Sequence, residues 1–175
     1  NVVEQLAQEA RAVTVRYFGR AISLYAPLYL ANYCDNYCLY CGFNKEHHIK
    51  RTKLKPEQMK LEMEKLASTG IQSVLLLTGE SRSQTPVSYI VEAVKIAGEF
   101  FPHISLEVYP MDEHEYAELF RAGVDGVTIY QETYLEDRYR QLHVKGKKRD
   151  YSYRYNTPER IARAGIRTIN MGVLL

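Results

Sequence analysis

The strongest constraint on this chain is an alternation of short apolar runs with stretches of helical period. Ile71 to Leu77 is a largely apolar run that reads as a strand buried on both faces. Ser88 to Phe100 follows with helical spacing, then a strand from Ile104 to Tyr109. Asp112 to Arg121 reads as a helix closed by Gly123, and Gly126 to Tyr130 as the next strand. Thr157 to Ala164 reads as a helix with Thr157 as its cap, Pro158 in its first turn and Gly165 at its stop. Thr168 to Leu175 reads as a further strand. Upstream, Pro27 to Tyr33 reads as a strand and Lys55 to Ser68 as a helix, with Pro56 in its first turn and Gly70 after its end. Val2 to Phe18 places apolar residues at helical spacing ahead of all this.

Strands that alternate with helices imply parallel βα units. The expected fold is therefore α/β: a partial (β/α) TIM-type barrel with about five parallel strands. A complete eight-unit barrel takes about 250 residues, so 175 residues are expected to supply part of one. The expected organisation is an N-terminal helical segment over 1–26 and a barrel core over 27–175. The last strand would leave an open edge, so these residues alone are expected to be inactive.

Composition serves mainly to exclude. A formal net charge of +2 gives no argument for nucleic acid or an anionic membrane as partner. The basic run Lys145-Gly146-Lys147-Lys148-Arg149 reads for the most part as a solvated loop. No stretch approaches the roughly 20 apolar residues that cross a bilayer, and Glu4, Glu9 and Arg11 interrupt any signal-peptide core. A cytoplasmic location is the expectation. The 3 cysteines are odd in number and confined to Cys34–Cys41, which argues for metal over a disulfide framework.

Those cysteines stand as C-x3-C-x2-C in Cys34-Asp35-Asn36-Tyr37-Cys38-Leu39-Tyr40-Cys41, directly after the first strand. In a barrel, that loop lies at the C-terminal face, where the chemistry sits. A four-iron cubane is usually held by four thiolates, so three leave one iron open to chelate a small molecule. The competing reading is a zinc-binding module, with His47 or His48 completing a Cys3His set. Zinc sites, however, normally pair their cysteines as C-x2-C and take four protein ligands.

The triad resembles the signature of the radical S-adenosylmethionine (SAM) superfamily. The wider segment Leu28–Cys34, Cys41-Gly42-Phe43 and Ile49-Lys50-Arg51 resembles its aromatic-amino-acid lyase branch, the ThiH family of tyrosine lyases in particular. Further likeness lies in Leu76-Leu77-Thr78-Gly79-Glu80, Glu107-Val108-Tyr109-Pro110, Tyr130-Gln131-Glu132-Thr133-Tyr134, and His143-x-Lys145-Gly146-x-Lys148.

The resemblance implies a [4Fe–4S] cluster on Cys34, Cys38 and Cys41, and SAM as second cofactor. Tyr40 would pack near the cluster with its backbone at the adenine, or serve as plain core. Thr78, Gly79 and Glu80 would meet the SAM amino group, Glu80 otherwise capping a helix. Arg154 would take the SAM carboxylate, or be a surface arginine. Gln131, Glu132 and Thr133 would bond the ribose or the ligand carboxylate. The implied reaction is reductive cleavage of SAM to a 5′-deoxyadenosyl radical, then scission of the Cα–Cβ bond of L-tyrosine. That gives p-cresol and 2-iminoacetate for the thiazole of thiamine. Flavodoxin or ferredoxin would donate the electron, and the thiazole synthase ThiG would receive the product. A HydG-type tyrosine lyase of hydrogenase-cofactor assembly, or another radical SAM lyase, is the alternative.

Overall fold

The structure is a computed structural model and describes residues 1–174. Five parallel strands form one sheet in sequential order: β1 (Ala26–Ala31), β2 (Ser73–Thr78), β3 (His103–Glu107), β4 (Gly126–Glu132) and β5 (Thr168–Val173). Every connection contains helix: α2 (Pro56–Ser68), α3 (Val87–Ala97) and α4 (Glu113–Ala122) between the first four strands. Between β4 and β5 lie α5 (Glu136–Leu142), a 3-10 turn (Lys147–Arg149), α6 (Tyr151–Tyr155) and α7 (Thr157–Arg163). This is the expected α/β architecture, an arc of barrel with five strands. Leu175, the last residue of the expected fifth strand, lies outside the described residues.

The core lies between sheet and helices. Val74 and Leu76 of β2 and Leu106 of β3 meet Met59 and Met63 of α2, Ile90 and Val94 of α3, and Tyr116 and Leu119 of α4. The period-two face of each strand thus finds the helical stripes of its neighbours, and area removed from water drives the assembly. The buried Tyr89 hydroxyl shares its proton between the carbonyls of Leu54 at 2.9 Å and Leu30 at 3.1 Å. The opening helix α1 (Val2–Phe18) differs, because none of its residues is buried. Among the described residues no helix is long and apolar enough to cross a membrane.

Three elements depart from expectation. The segment between β4 and α7 contains helical turns where the sequence shows no apolar period. Only Tyr139 is buried in α5 and only Arg154 in α6, so single anchors hold them. Thr157 is not the cap of α7 but its first residue, and its hydroxyl donates to the Tyr153 carbonyl at 3.0 Å. The basic run is not uniformly solvated, since Lys148 turns inward to Glu132 at 2.6 Å with both side chains only 11% exposed.

Candidate active site at the strand termini

The cysteine loop is shaped by its own polar residues. After β1, the Asp35 N–H donates to the Glu80 carbonyl, tying the loop to the end of β2. Asn32 holds the return of the chain, its side chain donating to the Lys50 carbonyl and accepting from the Thr52 N–H. The Arg51 guanidinium lies across the loop, donating to the carbonyls of Asn32 at 2.7 Å, Phe43 at 3.1 Å and Asn44 at 2.8 Å. The Asn44 amide donates to the Cys38 carbonyl. A rigid fork satisfying carbonyls that no strand or helix can pair explains why this irregular stretch stays in place.

Cys34, Cys38 and Cys41 line one cavity of about 310 Å³. Tyr40, Thr78, Gly79, Glu80, Glu132 and Arg154 line the same cavity. Gly79 is required there, because a Cβ would run into the Tyr33 carbonyl. Gln131 and Thr133 are not brought to it. Gln131 lies in a separate groove with Asn156 and Pro158, and the Thr133 hydroxyl accepts from the Leu135 N–H. A larger groove of about 800 Å³ between α2 and α3 has no cysteine in its lining.

Charge in the cavity is arranged in pairs. The Arg154 guanidinium donates to Glu80 at 2.8 Å and, through Nε, to the Tyr130 carbonyl at 2.6 Å. The other Glu80 oxygen accepts from the Asn36 amide at 2.8 Å. Burial pushes the Glu80 carboxyl up, but Arg154 and Lys148 outweigh it and hold the group below its usual range. Arg154 is therefore not a surface arginine, and Glu80 caps no helix. Glu132 has φ of 70°, unusual for a non-glycine residue, where the β4–β5 register slips. That kink turns its carboxylate to Lys148. Glu107, at the end of β3, also lines the cavity, and burial followed by the Glu132 charge raises its carboxyl above the usual value. Glu107 stands at the end of β3, and only the closed sheet brings it to the cavity.

Tyr40 and His143 form a second unit. The Tyr139 carbonyl can only accept, so the His143 Nδ1 at 2.7 Å carries the proton. Nε2 then accepts from the Tyr40 hydroxyl, also at 2.7 Å. Burial pulls His143 down to about 4, consistent with this neutral tautomer. Burial likewise raises the Tyr40 phenol, which stays protonated and able to donate.

The cavity fits a metal cluster and a polar ligand. Burial raises the Cys34 thiol and pushes Cys38 up to about 11, so both thiols by themselves stay protonated and a bound cation would be what draws them into the ligating thiolate form. The Thr78 hydroxyl is buried without a hydrogen-bond partner, and it lines the cavity. Among the described residues no three His, Cys, Asp or Glu side chains converge on a single metal ion. A mononuclear site would need its ligands within about 2.3 Å of one point, whereas a cubane spreads its thiolates over separate irons. His47 and His48 are exposed and outside the cavity, so neither completes a Cys3His set.

Comparison with known proteins agrees with this geometry. The chain is 43% identical over 173 residues to 2-iminoacetate synthase of Escherichia coli K12, covering 99% of this chain and 46% of that protein. It thus spans about half the length of the curated relatives it matches. Its structure resembles that of HydG, a maturase of the [FeFe]-hydrogenase, with TM-score 0.90 and 30% identity over 95% of this chain and 38% of that one. Methylornithine synthase (PylB) follows the same fold, with TM-score 0.81 and 28% identity over 97% of this chain and 50% of that one. The model of the radical SAM superfamily, whose enzymes use a [4Fe–4S] cluster and SAM, matches residues 28–175. With its three thiols gathered at the ends of a parallel sheet, the chain belongs to the radical SAM superfamily.

Proposed function

We propose that the protein is a radical SAM carbon–carbon lyase of the 2-iminoacetate synthase type, acting on L-tyrosine. The observation that carries this reading is one cavity holding the three thiols and the Glu80–Arg154 pair, in a chain 43% identical to a 2-iminoacetate synthase. Cys34, Cys38 and Cys41 would hold the [4Fe–4S] cluster, leaving one iron for SAM. Bound there, the two cofactors supply one-electron chemistry that generates a carbon radical.

The chain's own residues orient and shield. Arg154 spends Nε and Nη1 on Tyr130 and Glu80, and its Nη2 has no hydrogen bond among the described residues. That group offers a donor to the carboxylate of the methionine moiety. The Glu80 carboxylate, ionised because two cations face it, accepts from an ammonium group. Thr78 offers its unpartnered hydroxyl beside them, and Glu132 accepts from a ribose hydroxyl while held by Lys148. Tyr40, fixed by His143, packs on the cysteine loop. Gln131 and Thr133, outside the cavity, would act on the ligand only through the backbone of β4 and the turn after it. In this reading flavodoxin or ferredoxin supplies the electron, and the thiazole synthase ThiG takes the 2-iminoacetate.

The test uses the full-length protein, reconstituted anaerobically with iron and sulfide and given dithionite, SAM and L-tyrosine. The expected products are 5′-deoxyadenosine, p-cresol and glyoxylate, the last from hydrolysis of 2-iminoacetate. The likeness to HydG gives the second reading its basis. Cyanide or carbon monoxide alongside p-cresol would select it. Deoxyadenosine without p-cresol would remove tyrosine as substrate, and no deoxyadenosine from a loaded protein would refute the reading.

A further inference from the structure

The cysteine loop forms a short antiparallel ribbon with the segment after α5. The Tyr37 N–H donates to the Lys145 carbonyl, the Leu39 N–H donates to the Leu142 carbonyl, and Cys38 bridges His143 between them. Side chains alternate across such a ribbon. Cys38 and His143 point inward and are buried. Tyr37, Leu39, Leu142 and Val144 take the other side, where Leu39 is 63% exposed and Val144 45%. One layer of backbone therefore separates a cluster-ligating cysteine from solvent.

The outer side is basic around an apolar centre. The Lys145 ammonium stands 5.2 Å from the centre of the Tyr37 ring. Arg149 follows on the same exposed turn with its guanidinium donating to the Val144 carbonyl at 2.8 Å, and exposed Lys147 also lines a neighbouring groove with Asp35, Asp112 and Asp150. Among the described residues none of these three forms an ion pair, whereas Lys148 is consumed by Glu132 inside the cavity. Gly146, with φ of 100°, packs so closely on Asn36 that the turn is fixed against the cysteine loop. Three cations without ion pairs thus stand close in sequence beside the ribbon that carries Cys38.

We propose that the outer face of this ribbon is the docking surface for an acidic one-electron carrier protein. The inference rests on the functional reading above, in which the site takes one electron from outside. The carrier is oxidised by one electron and the cluster reduced by one, with no bond made or broken. Transient redox complexes bury little surface and rely on complementary charge, which speeds encounter by about ten- to a thousandfold and fades with salt. Unpaired cations around two exposed aliphatic side chains suit that kind of contact better than a nucleic acid, for which aromatic stacking platforms would be expected.

The test titrates full-length holoenzyme with flavodoxin as the probe, at low and high salt, measuring the dissociation constant and the rate of cluster reduction. Lys145→Glu/Lys147→Glu is compared with wild type, and Lys147→Glu alone serves as a milder variant, since its side chain makes no hydrogen bond among the described residues. We expect binding that weakens with salt and falls about tenfold or more in the double variant. Iron content and dithionite-driven reduction should be unchanged. Wild-type protein that does not bind flavodoxin at low salt, or variants that bind it as wild type does, would overturn the proposal. An equal loss of dithionite-driven reduction in Lys147→Glu would also overturn it, by making the ribbon part of the site's own framework. Flavodoxin binding lost in the variants, with no deoxyadenosine formed by wild type, would leave the surface standing and reject the functional reading.

Discussion

The site depends on a few residues whose partners are fixed. Arg154 is 5% exposed and its guanidinium is the main counter-charge of Glu80. Removing one member of a buried pair leaves the other desolvated and uncompensated, which costs about 3–5 kcal/mol. Arg154→Ala should therefore lower the unfolding free energy from urea titration by that amount, and should weaken SAM binding in equilibrium dialysis. Gly79→Ala should act through backbone crowding instead. Its Cβ meets the Tyr33 carbonyl, so the cysteine loop must shift or the core must strain by about 1–3 kcal/mol. Thermal unfolding together with iron content after reconstitution would check this, with both expected to fall. The three cysteines were legible from spacing alone, because cluster ligation needs thiols at set intervals. Glu107 was not, since a lone glutamate in a strand pattern looks like any solvent-facing residue until the sheet turns it into the cavity.

At the scale of elements, the regular strands and the longer helices were readable, with ends differing by a few residues. Burial on one stripe or on both faces leaves a period in the sequence, and β2, α3 and α4 all show it. The turns α5 and α6 have seven and five residues and bury one side chain each, which is too little to write a period. They exist because Tyr139, Arg154 and His143 are gripped from elsewhere. The Tyr139 hydroxyl donates to the Lys148 carbonyl, and its ring lies 3.9 Å from that of His143. The ribbon between this segment and the cysteine loop depends on Gly146, where φ of 100° and contact with Asn36 exclude a side chain. Gly146→Val should break the Lys148–Asn36 hydrogen bond and loosen the loop. Amide hydrogen exchange would report this as lost protection at Tyr37 and Leu39, with α2 and α3 unaffected.

Across the whole molecule, buried charge makes stability depend on acidity. Glu80 has its carboxyl held below the ordinary 4.5, so its contribution is present above that value and is lost as pH falls through the depressed one. His143 is pulled from 6.5 to about 4, so the fold binds it neutral while the unfolded chain protonates it. Its contribution is intact above 6.5 and disappears toward 4. Urea unfolding at pH 7.5 and at pH 5 should show lower stability at the acid value, and His143→Gln should narrow that difference. The α/β class, the parallel strands and the spacing of the three cysteines are all legible in the sequence. Each of these follows from local periodicity or from residue type at fixed spacing. The tertiary structure alone decided which charges face one another. Glu80 finds Arg154 across 74 positions and Glu132 finds Lys148 across 16, distances over which no local pattern carries information and only the closed sheet sets the partner.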